Sequence, residues 1–226
     1  MIGTASVPWS APTTAMRQCS STSGPRCCVS HFPLRRWSSS RPFLSQQRGD
    51  IRRCRADSVP LSQAVARRAE YLTLAVQPEC APLLVAAAWL HDIGYAPGLR
   101  DTGFHPIDGA RHLQTIGWPP AICNLVAHHS GARFVARVLH LDRELEAYPF
   151  SQDAESDALT VADQTIGPKG QAMTLDQRMS DMLERHGPNS PNALAHPQRE
   201  PYIRAAAMRV AARLERDVLT VGSGAS

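Results

Sequence analysis

The segment APLLVAAAWLHD, residues 81–92, is apolar on nearly every side and then ends on two titratable residues, His91 and Asp92. A helix with one apolar stripe can lie on a surface, whereas a helix that is apolar all round must be enclosed by other elements. The segment therefore reads as a central buried helix ending near Gly94, which places His91 and Asp92 at its C-terminal end, inside the protein. Its longest apolar run, Leu83 to Leu90, is far below the roughly 18–20 residues that cross a bilayer, and no membrane span is expected.

What surrounds it also carries helical periods. Leu61, Val65, Ala69, Leu72 and Ala75 recur at three- and four-residue intervals and share one helix face. After a loop containing Pro97, Gly98 and Gly103, His105-Pro106 leads into a short helix with Ile107, Ala110 and Leu113 inward. Trp118-Pro119-Pro120 opens another, because proline is tolerated in a first turn, and Ile122, Leu125, Val126 and His129 share its inner face. Ser156 to Ile166 reads as a helix carrying Asp163. Thr174 and Gln177 have capping-box spacing and start a helix that stops at Gly187, and Tyr202 to Leu214 forms the last one, with Tyr202, Ala206, Val210 and Leu214 buried. No alternating β-branched run and no internal repeat appears. The expectation is an all-α, compact bundle of roughly six to eight helices with an irregular N-terminal extension.

The extension differs from the rest in texture and charge. Residues 1–57 hold 9 of the 24 basic residues but only 2 of the 20 acidic ones, so they carry +7 against −3 for the remainder. They also hold Cys19, Cys27, Cys28 and Cys54 without zinc-finger spacing, and no sustained apolar period. Disorder or a non-native stretch, an Arg- and Ser-rich transit peptide, and a basic arm for nucleic acid are the competing readings. The negative charge of the remainder argues against a nucleic-acid-binding domain. The expected organisation is an extension over 1–57, a helical metal-binding domain over 58–216 and a flexible tail over 217–226. Cys80 and Cys123 stand alone in apolar helical contexts, suiting a reducing compartment, and a cytoplasmic location is expected.

Chemistry concentrates in one stretch. Five of the nine histidines, His91, His105, His112, His128 and His129, fall between residues 91 and 129, with Asp92 beside them and Asp163 in a later apolar helix. A single inward histidine is commonly just a hydrogen-bonded core residue, and the negative end of a helix would by itself favour His91 in its protonated form. The set is harder to explain that way, because buried carboxylates need a counter-charge or a metal. Imidazole with carboxylate suits first-row transition ions better than the all-oxygen shell of calcium.

Four elements in order resemble the HD superfamily of metal-dependent phosphohydrolases: WLHDIGY at 89–95, HPIDGARHL at 105–113 with the HPxxG pattern, AHHSG at 127–131, and DALTVADQT at 157–165. The resemblance implies an HD-like helical fold and one or two divalent ions, of iron, manganese, zinc, nickel or cobalt. It implies that His91, Asp92 and Asp163 bind the first ion, and that Asp92 bridges to a second held by His105 and by His128 or His129. Asp92 and His91 would be the catalytic pair, with Asp92 also holding the attacking water. The implied reaction is hydrolysis of a phosphomonoester or phosphoanhydride on a small phosphorylated substrate, a nucleotide or dinucleotide, with Arg133 and Lys169 as candidate phosphate contacts.

One departure stands out. The family pattern begins with a histidine in the preceding helix, and the matching position here is at or near Leu61, which cannot ligate a metal. Either the chain before the domain departs from its native beginning, or the loss is real. The alternative function is then a catalytically impaired HD-like module that binds a nucleotide or a partner protein.

Overall fold

A computed structural model describes residues 59–222 of the chain, with side chains from Pro60 to Arg216. The expectations for residues 1–57 and for the last four residues lie outside the described residues. Helices run over α1 (Val59–Leu72), α2 (Ala81–Leu90), α3 (His105–Thr115), α4 (Pro120–His128), α5 (Ala132–Val138), the single turn α6 (Asp142–Leu145), α7 (Ala154–Gln164), α8 (Leu175–His186) and α9 (Pro191–Gly222). Among the described residues there is no strand, only one isolated bridge between Ile166 and Ala172. The chain is all-α as its periodicity implies, and no described helix is long and apolar enough to cross a membrane.

Helix α2 is the axis of the bundle. Leu83, Leu84, Ala86, Ala87, Ala88 and Leu90 are all buried, and α1, α4 and α7 pack around them. The alanines allow close helix approach, while each fully buried leucine adds about 1.5–3 kcal/mol relative to exposure. The helix ends at Leu90, with its apolar run and short of the expected end near Gly94, and Ile93–Tyr95 continues as a 3-10 turn. The reason is a backbone crossing: a methyl group on Gly94 would lie within van der Waals overlap of the carbonyl oxygen of His105 and 2.7 Å from the amide nitrogen of Gly109. The turn after Asp92 is thereby pressed directly onto the start of α3.

The start of α3 is fixed from its other side by Asp108, only 2% exposed. Its Oδ1 accepts the Thr102 amide at 2.9 Å and the Thr102 hydroxyl at 2.7 Å, and its Oδ2 accepts the Gly103 amide at 3.1 Å. These bonds hold the entering loop against the first turn and so set the position of His105.

On the opposite side, α7 docks on α9 through Asp157, which has no exposed surface. Arg209 pairs with both of its oxygens at 2.6 and 2.9 Å, and Arg213 adds a third contact at 2.9 Å. Helix α8 begins with the expected capping box of Thr174 and Gln177 and ends at Gly187, where φ is +77°. Helix α9 starts eleven residues before the expected Tyr202 and runs through Pro197 and Pro201. Proline normally interrupts a helix by removing a donor, but here the buried Ala195, Tyr202, Ile203 and Ala206 hold both halves against the bundle.

Substituting Gly94→Ala is expected to destabilise the protein by about 1–3 kcal/mol or more, because backbone rather than a flexible side chain stands in the way. Denaturant unfolding measures it, and an unchanged midpoint would contradict the crossing.

Candidate metal centre

His91 follows α2 with no exposed surface, and its Nδ1–H donates to the Ala88 carbonyl at 2.8 Å. That bond leaves Nε2 facing inward, the arrangement by which backbone carbonyls orient metal-binding imidazoles. Asp92 Oδ2 lies 3.3 Å and Asp163 Oδ1 3.6 Å from this Nε2, yet Nε2 makes no hydrogen bond. Both carboxylates thus stand within ion-pair distance of this one nitrogen.

The second oxygen of Asp92 serves another group. Its Oδ1 is 3.3 Å from His105 Nε2 and 4.0 Å from His129 Nε2, and the two imidazole nitrogens are 3.2 Å apart. His129 repeats the device of His91, donating from Nδ1 to the Val126 carbonyl at 2.6 Å. Asp92, His105 and His129 together could hold an ion, since their ligand atoms all lie within 4.8 Å of one another. Ligands at about 2.0–2.2 Å from a first-row ion stand roughly 3–4 Å apart, which matches these separations. The donor set therefore fits a divalent transition ion.

The backbone around His129 is bent to reach this position. Ser130 has φ +52° and Gly131 φ +69°, so two successive residues are left-handed where α4 turns into α5. For Ser130 this conformation costs about 1–2 kcal/mol. The bend turns the Ser130 hydroxyl onto Asp163 Oδ2, which also accepts the Gln164 amide at 2.8 Å, leaving Asp163 Oδ1 for His91. Tyr95 stacks on the His105 ring at 4.0 Å.

Charge follows from this packing. Burial disfavours the ionised forms, but the imidazoles of His91 and His105 hold Asp92 well below the usual carboxylate range. Burial likewise opposes protonation of His91, yet the carboxylates of Asp92 and Asp163 overcome it and raise its pKa to about 9. His129 goes the other way, lowered to about 3 by burial and then by the positive charge of its two histidine neighbours.

The other sequence candidates lie elsewhere. His128 points away: its Nε2 donates to the Tyr148 carbonyl at 2.6 Å and its ring meets the edge of Phe150. The Arg133 guanidinium sits over the rings of Phe150, Tyr202 and Phe134 at 4.2, 4.7 and 4.8 Å. Lys169 is exposed, in the turn between α7 and α8, and its amide is held by Gln171. Neither of these cations lines the cavity of about 510 Å³ that opens above Asp92, His105, His129 and Asp163. That cavity is walled instead by Arg178, Arg185, His186 and Arg199 from α8 and α9, and by Leu61 from α1. The three arginines carried no sequence signal beyond ordinary helical spacing, since charged residues on amphipathic helices are usually solvated.

In metal-free protein, His91 bound to its proton stabilises the fold below its unfolded pKa of 6.5, and that contribution is lost as pH rises toward about 9. His129 contributes above 6.5, and its share is lost as pH falls toward about 3. Chelator-treated protein is therefore expected to melt highest near pH 6.5 and progressively lower on either side; a melting temperature that keeps rising from pH 7 to 9 would contradict the His91 environment.

Residues 62–167 match the family model of the HD domain. The matched span begins immediately after Leu61 and contains His91, Asp92, His105, His129 and Asp163, whereas α8 and α9 lie beyond it. No curated protein and no solved structure matches the chain.

Proposed function

We propose, from the match of residues 62–167 to the HD domain, of a superfamily whose members are in general metal-dependent phosphohydrolases, that the chain hydrolyses a phosphomonoester or phosphoanhydride of a small molecule in the nucleotide class. The observation that carries the reading is Asp92, one buried carboxylate whose Oδ1 stands in a group with His105 and His129 that could hold an ion while its Oδ2 faces His91. His91, Asp92 and Asp163 would hold one divalent ion, and Asp92, His105 and His129 a second. Bound there, such an ion supplies Lewis acidity, making a water acidic near neutral pH and neutralising charge on a phosphoryl oxygen.

The chain's own groups do the positioning. The Ala88 and Val126 carbonyls fix the imidazole tautomers of His91 and His129, so that both present a lone pair without rearrangement. Ser130 and Gln164 occupy one oxygen of Asp163 and leave the other directed at His91. Asp92, kept ionised by its imidazole neighbours, would offer its charge to the ions and help hold the attacking water. Tyr95 covers one face of His105 and limits solvent there.

A second reading rests on Leu61. This residue lines the cavity where the family pattern begins with a histidine, so the group around His91 has one protein ligand fewer. A module that binds a phosphorylated ligand without turnover would carry the same site.

Elemental analysis and a phosphoester panel separate the two. Asp92→Asn is expected to deplete bound metal and lower hydrolysis by at least about 100-fold, whereas His128→Ala leaves metal content unchanged because its ring faces Tyr148. Leu61→His is expected to slow metal loss to chelator by on the order of tenfold. Stoichiometric metal without turnover in both the native chain and Leu61→His would leave the binding reading standing and remove the hydrolase.

A further inference from the structure

The cavity has a second wall whose chemistry the metal centre does not use. Arg178 and Arg185 extend from α8 and Arg199 from α9, all lining the same space as Asp92, His105, His129 and Asp163. Of these guanidiniums, Arg185 pairs with Asp181 at 2.8 Å and Arg178 stands 3.6 Å from the same carboxylate, while the charge of Asp163 is felt by Arg178 and Arg199. Among the described residues no carboxylate pairs with Arg199. Its Nε donates to the Ser130 carbonyl at 2.7 Å and one terminal nitrogen to Asn192 Oδ1 at 3.3 Å, both neutral acceptors. Arg178 likewise spends its Nε on a neutral acceptor, the Ile166 carbonyl at 3.1 Å.

A partly buried guanidinium anchored only by neutral oxygens keeps its full charge and its remaining N–H fork for another group. The field of these cations is felt locally: burial lowers the pKa of His186, and Arg185, Arg178 and Arg199 lower it further. Geometry and charge thus divide the cavity into a carboxylate–imidazole floor that would hold ions and a guanidinium wall that would hold an anion. The wall belongs to α8 and α9, outside the span 62–167 that matches the HD domain, so it is a property of this chain rather than of the matched span.

We propose that Arg178 and Arg199, with Arg185 at the rim, form an anion subsite that takes a second negatively charged group of the substrate while its scissile phosphate lies at the metal centre. The substrate class is thereby narrowed to small phosphates carrying at least two anionic groups, such as an oligophosphate chain, in preference to simple monoesters. Planar guanidiniums grip phosphate through paired N–H donors, which a monoester with an uncharged remainder would leave unused. Arg199 has a positioning function too, because it holds the carbonyl of Ser130, whose hydroxyl rests on Asp163.

This assignment rests on the metal-centre reading for the placement of the first phosphate, but its test does not require turnover. Equilibrium binding of inorganic tripolyphosphate and of orthophosphate to the full-length, manganese-loaded protein is compared across variants. Tripolyphosphate is expected to bind at least about tenfold more tightly than orthophosphate, and Arg178→Gln to remove most of that advantage while leaving orthophosphate affinity within about twofold. Arg199→Gln should do the same; if it also lowers metal content, Arg199→Lys, which keeps the charge, is expected to recover part of the tripolyphosphate affinity. Equal losses for both ligands, or no change in Arg178→Gln, would overturn the subsite. Arginine-dependent tripolyphosphate binding without hydrolysis would sink the hydrolase alone, and hydrolysis indifferent to all three arginines would sink the subsite alone.

Discussion

A carboxylate withdrawn from water is strongly destabilising unless counter-charge or metal meets it, and two of the buried carboxylates of this fold, Asp92 and Asp163, stand together beneath one cavity. The arrangement of the bundle follows from compensating them. The segment after α2 delivers His91 and Asp92 together, α3 brings His105 to one oxygen of Asp92, α4 ends where His129 can face the same atom, and α7 supplies Asp163 to His91. Each imidazole that meets a carboxylate is turned by a backbone carbonyl or covered by a ring, so the polar cluster is ordered while apolar helices close around it.

Ordering the cluster requires backbone that ordinary helices do not provide. The absence of a side chain at Gly94 lets the HD turn touch the first turn of α3, and a bulkier residue would push His105 off Asp92. At Ser130 and Gly131 the chain turns through two left-handed residues, which swings His129 inward and Ser130 onto Asp163. Strain of this kind persists only where surrounding contacts over-determine it. Here the contacts are the Asp163 carboxylate on one side of Ser130 and the Arg199 guanidinium on the other.

Two layers of the molecule thus have different duties. The candidate ligands His91, Asp92, His105, His129 and Asp163 all lie within the span that matches the HD domain, while α8 and α9 close the cavity and line it with cations. The ion pairs of Asp157 with Arg209 and Arg213 tie the two layers together, since they join α7 directly to α9. Leu61 stands at the junction, an apolar contact on the cavity wall where the family pattern begins with a ligand.

Much of this was legible in the chain itself. An apolar segment without a polar face has to be central, so α2 and the burial of His91 and Asp92 follow from composition, and the four ordered elements from WLHDIGY to DALTVADQT carry the HD resemblance. The capping box of α8 was equally readable, because it depends on neighbours three residues apart. Tandem histidines are different. His128 and His129 are chemically identical letters, and only the left-handed turn after them, set by contacts with α7 and α9, sends one to Asp92 and the other to Tyr148. The same holds for the cations. Arg133 and Lys169 lie a few positions from His129 and Asp163, but three aromatic rings capture the first and solvent the second, while Arg178, Arg185 and Arg199 reach the cavity through the packing of two later helices. Sequence determined which chemistry is buried, since burial is a local consequence of apolar pattern. Which side chain faces which was decided by tertiary structure alone, since it depends on contacts between residues up to about a hundred positions apart along the chain.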